Sequence, residues 1–124
     1  MQKEKVTSYK DLIVWQKGVR LAVASYHLTS TLPKSELFGS TSQIRRSATS
    51  VSANIAEGYG RGTKKEYAHF LKVARGSLYE LQTHIIVLQQ LPHGVELDYN
   101  DVTVLMDEVG KMLTVMIRRL TSNP

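Results

Sequence analysis

No cysteine occurs in the 124 residues, so neither a disulfide framework nor a thiolate metal site is available to this chain. Proline is scarce as well. The three prolines stand at 33, 92 and 124, all outside the periodic stretches, a distribution that suits long helices. No apolar run approaches the roughly 18 residues that read as a membrane span. Met1 to Lys10 is polar and charged, so no signal peptide is expected either, and the expected setting is the bacterial cytoplasm. At this length the chain is expected to form one domain, residues 1–124, around a single core that is marginal if its surface is left uncovered.

What is present in excess is positive charge, and it is unevenly placed. The formal net charge is +5. Residues 43–75 hold Arg45, Arg46, Arg61, Lys64, Lys65, Lys72 and Arg75 against Glu57 and Glu66 alone. The segment after residue 75 is acidic on balance, with Asp98, Asp101, Asp107 and Glu108 among its acids. A basic middle and an acidic end point either to nucleic acid or to a complementary contact between copies of the chain.

Hydrophobic spacing predicts four helices, over about 11–31, 35–59, 64–91 and 98–120. In the first, Leu12, Trp15, Val19, Ala22 and Tyr26 recur at steps of three and four, and Pro33 lies beyond its end. The second carries Leu37, Ile44, Ala48, Val51 and Ile55. Its body, SATSVSANIA, is full of small residues that admit a close neighbour, and its weak intrinsic preference makes it depend on tertiary packing. The third has the clearest stripe: Tyr67, Leu71, Ala74, Leu78, Leu81, Ile85 and Leu88. The fourth is apolar over a wide face, from Val102 to Leu120, with Asp98 and Asp101 at its start and Arg118 and Arg119 at its end, as the helix dipole favours. That face either fills a thick core or buries its surplus against another chain. Surplus apolar surface of this extent is unusual on a monomer, which favours self-association. Short connections between helices of such length give an up-down-up-down antiparallel bundle. The first ten and last four residues are expected to fray.

The glycine-rich stretch AEGYGRGTKKEY, residues 56–67, invites a phosphate-loop reading and does not sustain it. A Walker loop counted from Gly58 needs glycine where Thr63 stands, and the dinucleotide fingerprint fails at the same position. Both also need a preceding strand. The turn reading fits: Gly58 or Gly60 adopts the left-handed conformation that ends a helix, and Thr63 with Glu66 forms a capping box that opens the next. Arg61, Lys64 and Lys65 at that helix start would still attract phosphate without catalysis.

Other chemistry finds little support. Glu66 and His69 make a single Glu-x-x-His unit, whereas a carboxylate-bridged metal site in a bundle uses two. His27, His69, His84 and His93 have no ligand spacing among themselves. The expectation is therefore a noncatalytic protein without metal or cofactor. Along the third helix Lys65, His69, Lys72 and Tyr79 fall on one side with Arg75 adjacent, and Arg45 and Arg46 lie on the second. Such a basic helical surface with an aromatic engages phosphates with salt-sensitive affinity, or is simply a solvated face. Gln43, Ser47, Ser50, Asn54 and Glu57 form a polar line that is either a contact or exposed surface, with Glu57 placed to pair with Arg61.

The stretches YKDLIVWQKGVRLA, SQIRRSATSVSANIAEGYGR, KKEYAHFLKVARGSLYELQTHI and EVGKMLTVMIRRL resemble the four-helix-bundle proteins encoded in intervening sequences of 23S ribosomal RNA genes. The likeness covers about residues 9–120, and its most specific parts are Gln43 to Arg46, Asn54 to Gly58, and the group Gly76, Ser77, Leu78 and Glu80. Ser52 departs from the proline of many members, a change that costs a helix nothing. The resemblance implies a bundle that assembles into a ring-shaped homo-oligomer, often a homopentamer. It also implies kinship with accessory proteins of diversity-generating retroelements, which bind nucleic acid and a reverse transcriptase. It brings no catalytic residues.

The combined expectation is an all-α, self-associating scaffold. Arg45, Arg46, Arg61, Lys64, Lys65, Lys72 and Arg75 would contact RNA or DNA phosphates without strong sequence preference. The rival expectation is a protein–protein interaction module, such as a reverse-transcriptase accessory subunit, whose bases meet the acidic 96–108 region of a neighbour.

Overall fold

The computed structural model describes residues 5–122. It contains four long helices, α1 (Ile13–Thr29), α2 (Ser42–Gly60), α3 (Lys64–Gln89) and α4 (Asn100–Thr121), and no strand among the described residues. Each helix packs on its neighbours in the chain, and α4 packs back on α1, which closes an up-down-up-down bundle. Among the described residues no helix is long and apolar enough to cross a membrane.

One core draws on all four helices: Val14, Leu21 and Leu28 from α1; Ile44, Ala48, Val51 and Ile55 from α2; Leu71 through Leu88 from α3; Val102, Met106, Val109, Leu113 and Ile117 from α4. The predicted stripes of α2 and α3 are this core, apart from Leu37, which lies outside α2 and is half-exposed, and Tyr67, which is half-buried at its edge. On α4 the wide face resolves into a buried centre flanked by the half-buried Leu105, Met112, Met116 and Leu120, which pack against the core.

The α1 stripe departs from expectation. Its buried line is Val14, Gly18, Leu21, Ser25 and Leu28, turned by one residue from the predicted one, and Tyr26 is exposed. The cause is two small residues at the centre of the face. A Cβ on Gly18 would stand 3.3 Å from the Ser52 Cβ of α2, so close approach, not side-chain bulk, fixes which face turns inward. Ser25 satisfies itself by donating to the Leu21 carbonyl at 2.8 Å.

Two boundaries differ from prediction. Helix α2 begins at Ser42, not near 35. Lys34–Glu36 is a 3₁₀ turn and Leu37–Thr41 a π-turn broken at the non-helical Gly39 (φ −103°, ψ −114°). The expectation of frayed ends falls partly on residues 1–4 and 123–124, which lie outside the described residues. Residues 8–10 contradict it. Ser8 caps the 3₁₀ turn Tyr9–Asp11 in a complete capping box, and Tyr9 packs edge-on against Trp15 with ring centroids 5.2 Å apart.

The glycine stretch is a turn, by a different glycine. Helix α2 continues through Gly58 and Gly60, and Gly62 takes the left-handed conformation at φ 94°. Gly58 serves packing instead: a Cβ there would lie 2.8 Å from the Phe70 Cβ. Thr63 caps α3 by accepting from the Glu66 backbone N–H at 3.1 Å. Its hydroxyl lies 3.3 Å from the Glu66 carboxylate, so the two side chains meet each other rather than exchanging backbone bonds in a full box.

Candidate nucleic-acid interface

The seven bases singled out by the sequence divide into two groups. Three arginines are engaged within the molecule. Arg45 is half-buried, donates from Nε to the Thr29 hydroxyl at 2.9 Å, and lays its guanidinium 4.5 Å from the Tyr26 ring centroid, tying α2 to α1. Arg46 pairs with Glu80 of α3 and donates to the Gln43 side chain at 2.9 Å. Arg61 stands 3.4 Å from Glu57 and 4.8 Å over the Phe70 ring.

The other four belong to α3. Lys64, Lys65 and Lys72 are exposed, Arg75 is half-buried, and none has a carboxylate partner among the described residues. Lys65 and Lys72 are seven residues, or two helical turns, apart. Their line lies one residue, about 100° of rotation, around α3 from the buried Leu71, Leu78 and Ile85. His69 and the half-exposed Tyr79 share that outward face. Between Lys72 and Tyr79, Gly76 leaves open space where any side chain would stand, so a ligand can approach the backbone there. The predicted grouping of Lys65, His69, Lys72 and Tyr79 with Arg75 adjacent is what the helix presents. Arg45 and Arg46 lie on α2, where their side chains contact Thr29, Tyr26, Gln43 and Glu80.

The antiparallel topology adds bases that reading by segments misses. The α2–α3 turn, the start of α1 and the end of α4 share one end of the bundle. Exposed Lys10, Arg118 and Arg119 therefore join Arg61, Lys64 and Lys65 at that end. Sequence alone gives Arg118 and Arg119 a role in the helix dipole; following the up-down topology to the chain's end finds their second neighbourhood. The opposite end carries Glu96, Asp98 and Asp101, none of them in an ion pair among the described residues.

Of the polar line of α2, Ser50 bonds across to α3, Ser47 and Asn54 bond within α2, and Glu57 is exposed beside Arg61. Ser50 and Ser77 hydroxyls meet at 2.9 Å across α2 and α3, and Asn54 donates to the Ser50 carbonyl at 2.9 Å. The Glu-x-x-His unit is taken up structurally: Glu66 meets the Thr63 cap and His69 packs on Phe70. Among the described residues no group of three His, Asp or Glu side chains stands at metal-ligand spacing.

A search of the curated proteins found no match for this chain. The family model described as "23S rRNA-intervening sequence protein" matches residues 10–115, a span that begins in the capped N-terminal turn and ends within α4. The chain therefore belongs to the 23S rRNA-intervening sequence protein family.

Proposed function

We propose that this protein is a noncatalytic cytoplasmic scaffold that self-associates into a closed ring and holds RNA or DNA phosphates on the outer face of α3 and the adjoining basic end of the bundle. One observation carries the nucleic-acid part: Lys64, Lys65, Lys72 and Arg75 follow one another along α3 with no carboxylate to neutralise them among the described residues. Unpaired cations spread over about three helical turns match the regular charge of a phosphate backbone, and they read no base edge. Recognition would therefore be strong at low salt and indifferent to sequence. Arg45, Arg46 and Arg61 have a smaller part in this than the α3 bases, because partners within the molecule already occupy them.

Replacing Lys65, Lys72 and Arg75 together by glutamate tests the reading. Binding of single-stranded RNA should be lost while helical content stays unchanged; unchanged affinity would refute it.

A second reading draws on the acids at the opposite end. Glu96, Asp98 and Asp101 are unpaired among the described residues, whereas Asp107 pairs with Lys111 at 3.1 Å and Glu108 with Lys17 at 2.5 Å. If the α3 bases instead meet those three acids on a neighbouring protein, which makes the chain an interaction module or a polymerase accessory subunit, high salt dissolves the assembly and RNA does not bind at moderate salt.

A further inference from the structure

The most exposed large apolar side chain described is Phe38, 89% accessible, beside Leu37 at 50%. Both sit on the π-turn Leu37–Thr41. The Glu36 carboxylate accepts from the Ser40 N–H at 3.4 Å and lies 3.4 Å from His93 Nε2 on the α3–α4 connection. A phenylalanine lifted into water on this turn has no role in this chain's own core. Its ring is open to a partner.

The same chain offers a receptor at the same end of the bundle. A groove of about 580 Å³ runs between α1 and α4, walled by Val19, Val23, Val104 and Leu105. Val23 and Val104 are 52% and 49% exposed. The charges correspond. Exposed Lys34 precedes the Phe38 turn and has no carboxylate partner among the described residues, while the end of the groove nearest the helix connections carries the unpaired Asp98 and Asp101. Arg20 lies on the groove's other part, toward the middle of α1.

We propose that Leu37 and Phe38 of one copy insert into the α1–α4 groove of a second copy, with Lys34 facing Asp98 and Asp101. This rests on the self-association reading above and names its interface. Knob and receptor are different surfaces, so the contact is heterologous: each copy uses its knob on one neighbour and its groove on the other, which builds rings when the rotation closes. The two surfaces lie on adjoining sides of the bundle, α1–α2 and α1–α4, as a turning chain of subunits requires.

Phe38→Ser removes the knob and Val104→Asp spoils the groove, and both residues are exposed, so neither change opens the core. The mass of each variant, and of an equal mixture, is measured by light scattering, with helical content as the check on folding. Each variant alone should be monomeric. The mixture should give a dimer and nothing larger, because the Val104→Asp copy keeps its knob and the Phe38→Ser copy keeps its groove. Charge reversal gives an independent arm: Lys34→Glu and Asp101→Lys should each weaken assembly of the full chain, and together restore it. Variants that keep the wild-type mass, or monomers that do not pair on mixing, overturn this interface while the self-association reading stands. A monomeric wild-type chain overturns both.

Discussion

Gly58 of α2 and Phe70 of α3 approach so closely that a Cβ added to the glycine would lie 2.8 Å from the Cβ of the phenylalanine. The Tyr67 carbonyl would be 3.3 Å away as well, so backbone as well as side chain stands in the way. Helix preference alone says that alanine should stabilise a helical glycine position by about 0.5–1 kcal/mol. Here packing reverses the sign. Gly58→Ala is expected to destabilise by about 1–3 kcal/mol, the ordinary result of overfilling a close contact. Gly76 is the control: helical, exposed, with nothing within 4 Å of an added methyl, so Gly76→Ala should raise stability by the helix-preference amount. Urea midpoints of the two variants should move in opposite directions.

Arg45 and Lys72 are both bases of the predicted interface and should behave differently on truncation. Arg45 donates to Thr29 and covers Tyr26, so Arg45→Ala removes a charge-assisted hydrogen bond and a cation–π contact between α1 and α2. A loss of about 1–3 kcal/mol is expected. Among the described residues Lys72 has no hydrogen-bond or ion-pair partner that its removal would orphan, and Lys72→Ala should stay within about 0.5 kcal/mol of wild type. Thermal unfolding of the pair checks this; equal stabilities would mean that the Arg45 contacts contribute nothing.

That contrast marks how far sequence carries. Ile44, Val51, Leu71 and Leu78 are legible as core because large apolar residues at helical spacing have one sensible place to go. The α1 face is not, because Gly18 and Ser25, which carry no apolar signal, sit at its centre. The start of α2 escapes the pattern because Leu37 continues the stripe by spacing while Gly39 breaks the backbone, and spacing does not register a dihedral angle. For the interface, composition locates the bases. It cannot show that Glu80 sits across from Arg46, because that partner is 34 residues away. Nor can it bring Arg118 to the end where Lys64 stands, since only the antiparallel return of α4 joins those ends.

The division of the bases predicts a measurable salt dependence. Removing one cation from a phosphate lowers the slope of log affinity against log salt by about 0.7 for single strands. Single replacements of Lys64, Lys65 and Lys72 by alanine should each reduce the slope of RNA binding by about that amount. Arg46→Ala should change it less, because Glu80 already neutralises that side chain. Arg118→Ala should act like the α3 lysines if the basic end takes part. Equal slopes across all five variants and the wild type would deny that these side chains meet phosphate.

Asp11 gives a prediction in pH. The Thr7 backbone N–H is the main cause holding its carboxyl below the ordinary aspartate range, followed by the Thr7 hydroxyl, with the Ser8 N–H adding to it against an opposing effect of desolvation. The folded chain thus binds this proton less readily than the unfolded one. The stabilisation is fully present above the unfolded aspartate value and is lost as pH falls through the lower folded value. Protonation releases the Thr7–Asp11 turn, and with it the edge-on packing of Tyr9 against Trp15. Trp15 is the chain's single tryptophan, so its fluorescence reports the event directly. Acidification should give a Trp15 transition below the ordinary aspartate range while far-ultraviolet helical signal still holds. Asp11→Ala should show the acid-form fluorescence already at neutral pH and no such step. Asp11→Asn, which keeps an acceptor oxygen and cannot ionise, should also lack the step but stay closer to the native signal. A transition of the same size and midpoint in Asp11→Ala would assign the titration to another carboxyl and remove Asp11 from the account of the N-terminal cap.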